Sequence, residues 1–206
     1  IYNLIPNEII KQVKNLIKNN PNKKTIIIFH WNYEFEKYPQ PAHRQLSKIL
    51  IDLGAYLIIG HHPHIVSPIE IYKGKCIVYS LGNWAISRNR FYQERLSYPS
   101  YCDYQIAFEI CKDKFIVHHC NFKENVIQYI KSEEITPNQS SLKPIFQDYT
   151  HEEYIKWFKR NRIQRKLLPI YKDINHTKYN KMKDFFVVFR DNILKFLLLL
   201  GIKNFR

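Results

Sequence analysis

Glycine is scarce, with five in 206 residues, and the ten prolines follow no period. A collagen-like or low-complexity chain is excluded. Cysteine is sparse as well: Cys76, Cys102, Cys111 and Cys120 show no C-x-x-C spacing, so they point neither to a redox compartment nor to a metal. Cys111 and Cys120 are spaced to face each other across a hairpin, and free core thiols are the other reading. No long apolar run is present. Phe185 to Ile202 is greasy, but Arg190, Asp191 and Lys195 interrupt it, well short of the ~20 apolar residues a spanning helix needs. A helix docked on the domain is expected there, with an interfacial helix on an anionic membrane as the alternative. The first residue is Ile1 rather than methionine, no basic-then-apolar secretory signal follows, and no aspartate precedes Asp52.

What is present suits a folded protein. Hydrophobic residues make up 45% and charged residues 24%, the ordinary range of globular chains. The length fits one domain, or one with a small appendage, and a real core without disulfide or metal staples. Net charge is +14, unevenly placed: residues 151–206 hold 14 Lys+Arg against 5 Asp+Glu, and residues 1–150 hold 18 against 13. A basic tail attracts acidic partners such as an anionic polymer, anionic lipid or nucleic acid; a solvated helix surface is the plainer reading. Nucleic acid is not expected, since zinc-finger spacing, an RNP-like aromatic strand and a P-loop are all missing.

Helical spacing of Ile9, Ile10, Val13, Leu16 and Ile17 behind Pro6 predicts an amphipathic helix over 6–19. Thr25 to Phe29 is a continuous β-branched run, expected to be a strand covered on both faces. Pro41 opens a second helix that Gly54 stops, and Tyr56 to Ile59 is a second strand. Strand, helix and strand together predict a βαβ unit. Hairpins are expected over 69–80, turning at Lys73-Gly74-Lys75, and over 104–122, turning near Asp113, with one more strand at Val126–Ile130. Beyond about residue 131 a polar stretch with Pro137 and Pro144 leads to helices near 151–168 and 177–201. The division expected is therefore a domain over 1–130 and a linker with a basic helical extension over 131–206. The fold class is α/β, a layered sheet with flanking helices followed by a helical C-terminal extension.

Three features stand at strand ends, where open α/β sheets place their sites. His30 closes the first strand; a lone histidine there is more often structural than a ligand. Gly60-His61-His62-Pro63-His64 follows the second strand. Proline favours extended geometry in the residue before it, so His62 and His64 are expected on one side with His61 opposite. Two neutral imidazoles so aligned suit a divalent ion such as zinc, manganese or iron. Ser80-Leu81-Gly82-Asn83-Trp84 closes a third strand and, taken alone, is a plain turn.

Together, His30-Trp31-Asn32-Tyr33-Glu34, Gly60-His61-His62-Pro63-His64 and Ser80-Leu81-Gly82-Asn83-Trp84 resemble, in order and interval, the CapA family. That family is named for poly-γ-glutamate capsule synthesis and lies within the calcineurin-like metallophosphoesterase superfamily. The resemblance covers residues 24–110. It implies a site with two divalent ions (Mn, Fe or Zn), His30 and His62 on one and His64 on the other. Glu34 would contact metal, water or substrate, unless it is a solvated loop carboxylate; His61 would support the ligands or touch substrate. Asn83 would shape the loop or meet substrate rather than bind metal. Asn32 stands where glycine is usual, and asparagine tolerates left-handed backbone. Tyr56, Ser67 and Trp84 also depart from the pattern. The superfamily's aspartates and Asn-His pair have no counterpart before His30, so an N-terminal portion carrying them is expected outside this sequence.

Two functions follow from the resemblance. The first is a metal-dependent phosphoester hydrolase serving capsule or poly-γ-glutamate synthesis. The second is a non-catalytic assembly or export factor that holds an anionic surface polymer or a synthase partner. Peripheral membrane contact through the basic C-terminal helices is compatible with both. A cell-surface or membrane-associated place follows from the resemblance alone, and unpaired cysteines suit the cytoplasm equally.

Overall fold

The computed structural model describes residues 5–86, 98–112, 114–136, 140–164 and 168–200. The chain is a layered α/β fold with flanking helices. Helix α1 (Pro6–Asn19) leads to β1 (Ile26–His30), α2 (Pro41–Asp52) and β2 (Leu57–His61), then to the hairpin of β3 (Ile69–Tyr72) and β4 (Lys75–Val78). These four strands form one sheet in the order β1-β2-β4-β3, with β1, β2 and β4 parallel and β3 antiparallel to β4. A second sheet, all antiparallel, is built from β5 (Tyr104–Cys111), β6 (Lys114–Lys123) and β7 (Val126–Ile135). Helices α3 (His151–Asn161) and α4 (Thr177–Leu199) follow.

Each face of the first sheet builds its own core. Ile58 and Ile77 meet Leu46 and Leu50 of α2 and Val13 of α1. From the opposite face, Leu57, Cys76 and Val78 pack on Ile106, Phe115 and Val117 of the second sheet. The βαβ unit, both hairpins and the stop at Gly54, whose φ is +108°, are as the sequence predicts.

Strand β1 is not covered on both faces. It is the sheet edge, and its residues alternate: Ile27 and Phe29 pack on the helical core, whereas Ile26, Ile28 and His30 are exposed. The second sheet reaches over β2, β4 and β3 and stops short of β1. Its β-branched run therefore reports strand propensity rather than two-sided burial. The segment expected as linker and extension also contributes inward. Strand β7 runs on to Ile135, and Phe146, Tyr154, Phe158 and Ile174 sit in the same core cluster as Leu46 and Ile58. Helix α3 starts with a capping box, Thr150 accepting from the Glu153 amide while the Glu153 carboxylate accepts from the Thr150 amide. It ends at Asn161 rather than near 168, because Arg162 leaves helical geometry and its guanidinium binds the carbonyls of Gln164 and Leu168. Cys111 lies opposite Lys114 and Cys120 opposite Gln105, so the two do not face each other. None of the four cysteines is in a disulfide; Cys76, Cys102 and Cys120 are buried and Cys111 is exposed.

His43 of α2 stacks on the Trp31 indole, 5.0 Å between centroids and 8° between planes, and its buried Nδ1 has no hydrogen-bond partner. Burial pushes this imidazole down from 6.5 to about 3. Below pH 6.5 the unfolded chain binds a proton that the folded chain refuses, so stability falls as pH drops toward about 3. At about pH 5 the loss from this one group is roughly 2 kcal/mol. Urea unfolding across that range should show His43→Phe falling less steeply than wild type, and equal slopes would exclude His43 as the source.

Candidate metal centre

The carboxyl ends of β1, β2 and β4 lie along one sheet edge because the three strands run parallel. His30 ends β1 and His61 ends β2, directly paired in register. The loop after β4 carries Asn83 to the same edge.

Loop geometry here is unusual. Outside the hairpin turns, the non-glycine residues with left-handed backbone among those described are Asn32, Phe35, His62, His64 and Ala85, all in these three loops. Each such residue costs of order 1–3 kcal/mol unless its surroundings hold it. His62 has φ +96° and His64 φ +61°, so Pro63 does not leave His62 extended. The two imidazoles adjoin through a tight turn rather than through strand alternation. Several bonds hold that turn. The Phe35 amide donates to the Pro63 carbonyl at 2.8 Å, and the Trp31 amide to the His61 carbonyl at 3.1 Å. Asn32, at φ +70°, does what the sequence expects of it in place of glycine. Its Nδ2 also donates to the Tyr38 carbonyl at 2.9 Å and its Oδ1 accepts from Gln40.

Trp31 fixes the backbone next to His30. Its indole lies between Phe29 and His43, and Nε1 crosses β2 to the Tyr79 carbonyl at 3.0 Å. It crosses above Gly60, where a Cβ would stand 2.1 Å from the Tyr79 carbonyl oxygen and 2.3 Å from Nε1.

The imidazoles form a row. His30 and His62 centroids are 4.6 Å apart, and His62 and His64 centroids 5.9 Å. His30 is exposed, while His62 is half-buried with its Nε2 fully enclosed and without a hydrogen-bond partner. Burial first, then the charges of His30 and His64, push His62 down to about 4. His30 is lowered by burial and by His64, and His61 by burial and by His30. Neutral rings with lone pairs are what a metal ion requires of histidine. His64 Nδ1 lies 2.7 Å from Asn83 Oδ1. An amide oxygen only accepts, so Nδ1 carries the proton and Nε2 the lone pair, the arrangement common behind metal-binding histidines. Asn83 thereby positions His64 besides shaping its loop.

Tyr98 belongs to the site and carries no motif in the sequence. Its ring lies 4.8 Å from that of His64, and its hydroxyl is 3.4 Å from His64 Nε2. Burial and the nearby Glu34 charge push the phenol up to about 12. Glu34 itself is exposed on the loop. The enclosed carboxylate is Glu36, which accepts from the amides of Gln164 and Tyr38 and ties the loop to residues 163–164. His61 is half-buried at the end of β2. Among the described residues, no three His, Cys, Asp or Glu side chains are grouped as a metal-ion site. The donors that adjoin are His30, His62 and His64, and the orphaned Nε2 of His62 fits a cation as its missing partner.

The family model described as "Bacterial capsule synthesis protein PGA_cap" matches residues 4–88, which contain His30, His61, His62, His64 and Asn83. Residues 4–88 are thus similar to this capsule-synthesis family. Among CapA-family relatives, the PGA biosynthesis protein CapA of Bacillus subtilis is 43% identical over 63 residues, 31% of this chain and 17% of that protein. The capsule biosynthesis protein CapA of Bacillus anthracis is 32% identical over 85 residues, 40% of this chain and 21% of that protein. A probable polyglutamine synthesis accessory protein of Mycobacterium tuberculosis is 34% identical over 68 residues, 33% of this chain and 18% of that protein. The chain thus matches about a fifth of the length of these three relatives.

Proposed function

We propose that this chain supplies part of a metal-dependent, phosphoester-hydrolase-type centre that serves synthesis of poly-γ-glutamate or a related anionic capsule polymer. The observation that carries the reading is the enclosed, partnerless Nε2 of His62, whose ring adjoins those of both His30 and His64. His30, His62 and His64 would hold one or two divalent ions of the manganese, iron or zinc type. Such ions lower the pKa of a bound water and clamp charge developing on a phosphoryl group. The protein's residues do the rest. Asn83 keeps His64 in the tautomer whose Nε2 carries the lone pair, Tyr98 sets the ring's position, and Glu34 and His61 line the approach. A chain of net charge +14 favours an anionic substrate. The capsule role comes from what the relatives' names say of those proteins.

The test is metal content of the full-length protein, with turnover of a generic phosphodiester, in His62→Ala, His64→Ala and Asn83→Ala. Metal and turnover should fall to background in the two histidine variants. Asn83→Ala should weaken metal affinity about 10–100-fold. Full activity in both histidine variants would sink the proposal. Metal retained by the wild type without any turnover would replace hydrolysis with a structural role in polymer assembly.

A further inference from the structure

Helix α4 is turned inside out. Asn180, Lys183, Asp184, Arg190 and Asp191 line the half-buried side around the fully buried Val187. That side is held by Tyr171, whose hydroxyl donates to Asp184 at 2.6 Å, and by Asn180, which donates to the Asp173 carbonyl at 2.9 Å. The opposite side is a ridge of Met182, Phe185, Phe189, Ile193, Phe196 and Leu200, all exposed, Phe185 at 74%. A helix packed for its own burial would face the other way. Over 23 residues the helix is roughly 35 Å long, so the apolar ridge is far larger than the scattered exposed side chains of an ordinary surface.

Charge on the outward side has one sign. Lys178, Lys181 and Lys195 are exposed beside the ridge. The helix's two carboxylates are drawn inward, Asp184 to Tyr171 and Asp191 to Arg190 at 2.8 Å. Among the described residues no helix is long and apolar enough to cross a membrane. We infer that α4 is an interfacial helix that lays its phenylalanine ridge into the surface of an anionic lipid bilayer, with its lysines among the headgroups. An aromatic and aliphatic stripe flanked by lysine is the pattern such helices use. A second copy fits less well, because it would bring the same lysines against these and no outward carboxylate to pair with them. The inference stands on α4 alone and does not depend on the metal centre.

The experiment is co-sedimentation of the full chain with vesicles of phosphatidylcholine alone or mixed equally with phosphatidylglycerol. Binding is expected on the mixed vesicles only. Lys178→Gln, Lys181→Gln and Lys195→Gln combined should weaken it by roughly a hundredfold, since each lysine near an anionic surface contributes about tenfold or less. Phe185→Asp with Phe189→Asp should abolish it while leaving the thermal midpoint unchanged, because both side chains are exposed. Failure of the wild type to bind mixed vesicles overturns the inference. So does a dimer in lipid-free buffer that the Phe185→Asp, Phe189→Asp variant dissociates, which would assign the ridge to a second copy.

Discussion

Glu70→Leu should lower the unfolding free energy by about 3–5 kcal/mol, the usual cost of leaving one buried charge without its partner. Glu70 on β3 and Arg44 on α2 are both buried, with guanidinium Nη2 2.7 Å from Oε1 and Nε within 3.1 Å of both oxygens. Tyr79 donates its hydroxyl to Oε2 at 2.6 Å, and the half-exposed Lys48 reaches Oε1 at 3.0 Å. Arg44 also donates to the carbonyls of Phe146, Gln147 and Tyr149 and lies over the Tyr154 ring. One ion pair therefore joins α2, the first sheet and the segment ahead of α3. The two partners are not equivalent. Without Arg44, Glu70 keeps Lys48 and Tyr79; without Glu70, Arg44 keeps only carbonyls and an aromatic face. Arg44→Met should therefore cost less than Glu70→Leu. The double variant should cost less than the sum of the two, because the donor lost by the three carbonyls is already counted in Arg44→Met. Urea unfolding of the four proteins closes the cycle. Additive losses, or a single loss below about 1 kcal/mol, would show that the pair does not hold these elements together.

Gly60→Ala should destabilise the chain by about 3 kcal/mol or more, the upper end for overpacking a filled core, and should disturb the histidine row as well. The obstruction is mostly backbone: the new methyl would meet the Tyr79 carbonyl oxygen at 2.1 Å, besides the Trp31 indole nitrogen. A side chain can turn aside; a carbonyl in the strand layer cannot. Adding Trp31→Phe should therefore not rescue Gly60→Ala. Trp31→Phe alone should cost about 1–3 kcal/mol, because it leaves the buried Tyr79 carbonyl without its donor. Thermal unfolding of the three variants measures this. A Gly60→Ala protein with the wild-type midpoint would mean that the Tyr79 carbonyl does not lie against Gly60 as described. The glycine that opens the Gly-His-His-Pro-His run is thus needed for packing, separately from any chemistry of the histidines after it.

Local signals carried the element order well. The 3.6-residue spacing behind Pro6, the β-branched runs and the glycine and lysine turn residues act within a few positions, so α1, the βαβ unit and both hairpins are legible along the chain. So is Asn32, because left-handed backbone is a property of one residue. The histidine row is legible to the extent that His30 and His61 must end parallel strands.

Local sequence signals therefore dictate which residues reach the carboxyl edge of the sheet. Which of them touch, and what stands behind them, was decided by the tertiary structure. Tyr98 meets His64 across 34 positions, Glu70 meets Arg44 across 26, and Glu36 caps a loop 128 residues away. No periodicity encodes such pairs, since they depend on which layers stack and how far each extends. The same holds for burial. The second sheet ends before β1, which leaves Ile26 and Ile28 open, and Tyr171 binds Asp184, which turns the phenylalanines of α4 outward. An apolar residue records a preference for leaving water, and only the packed neighbours determine whether that preference is met.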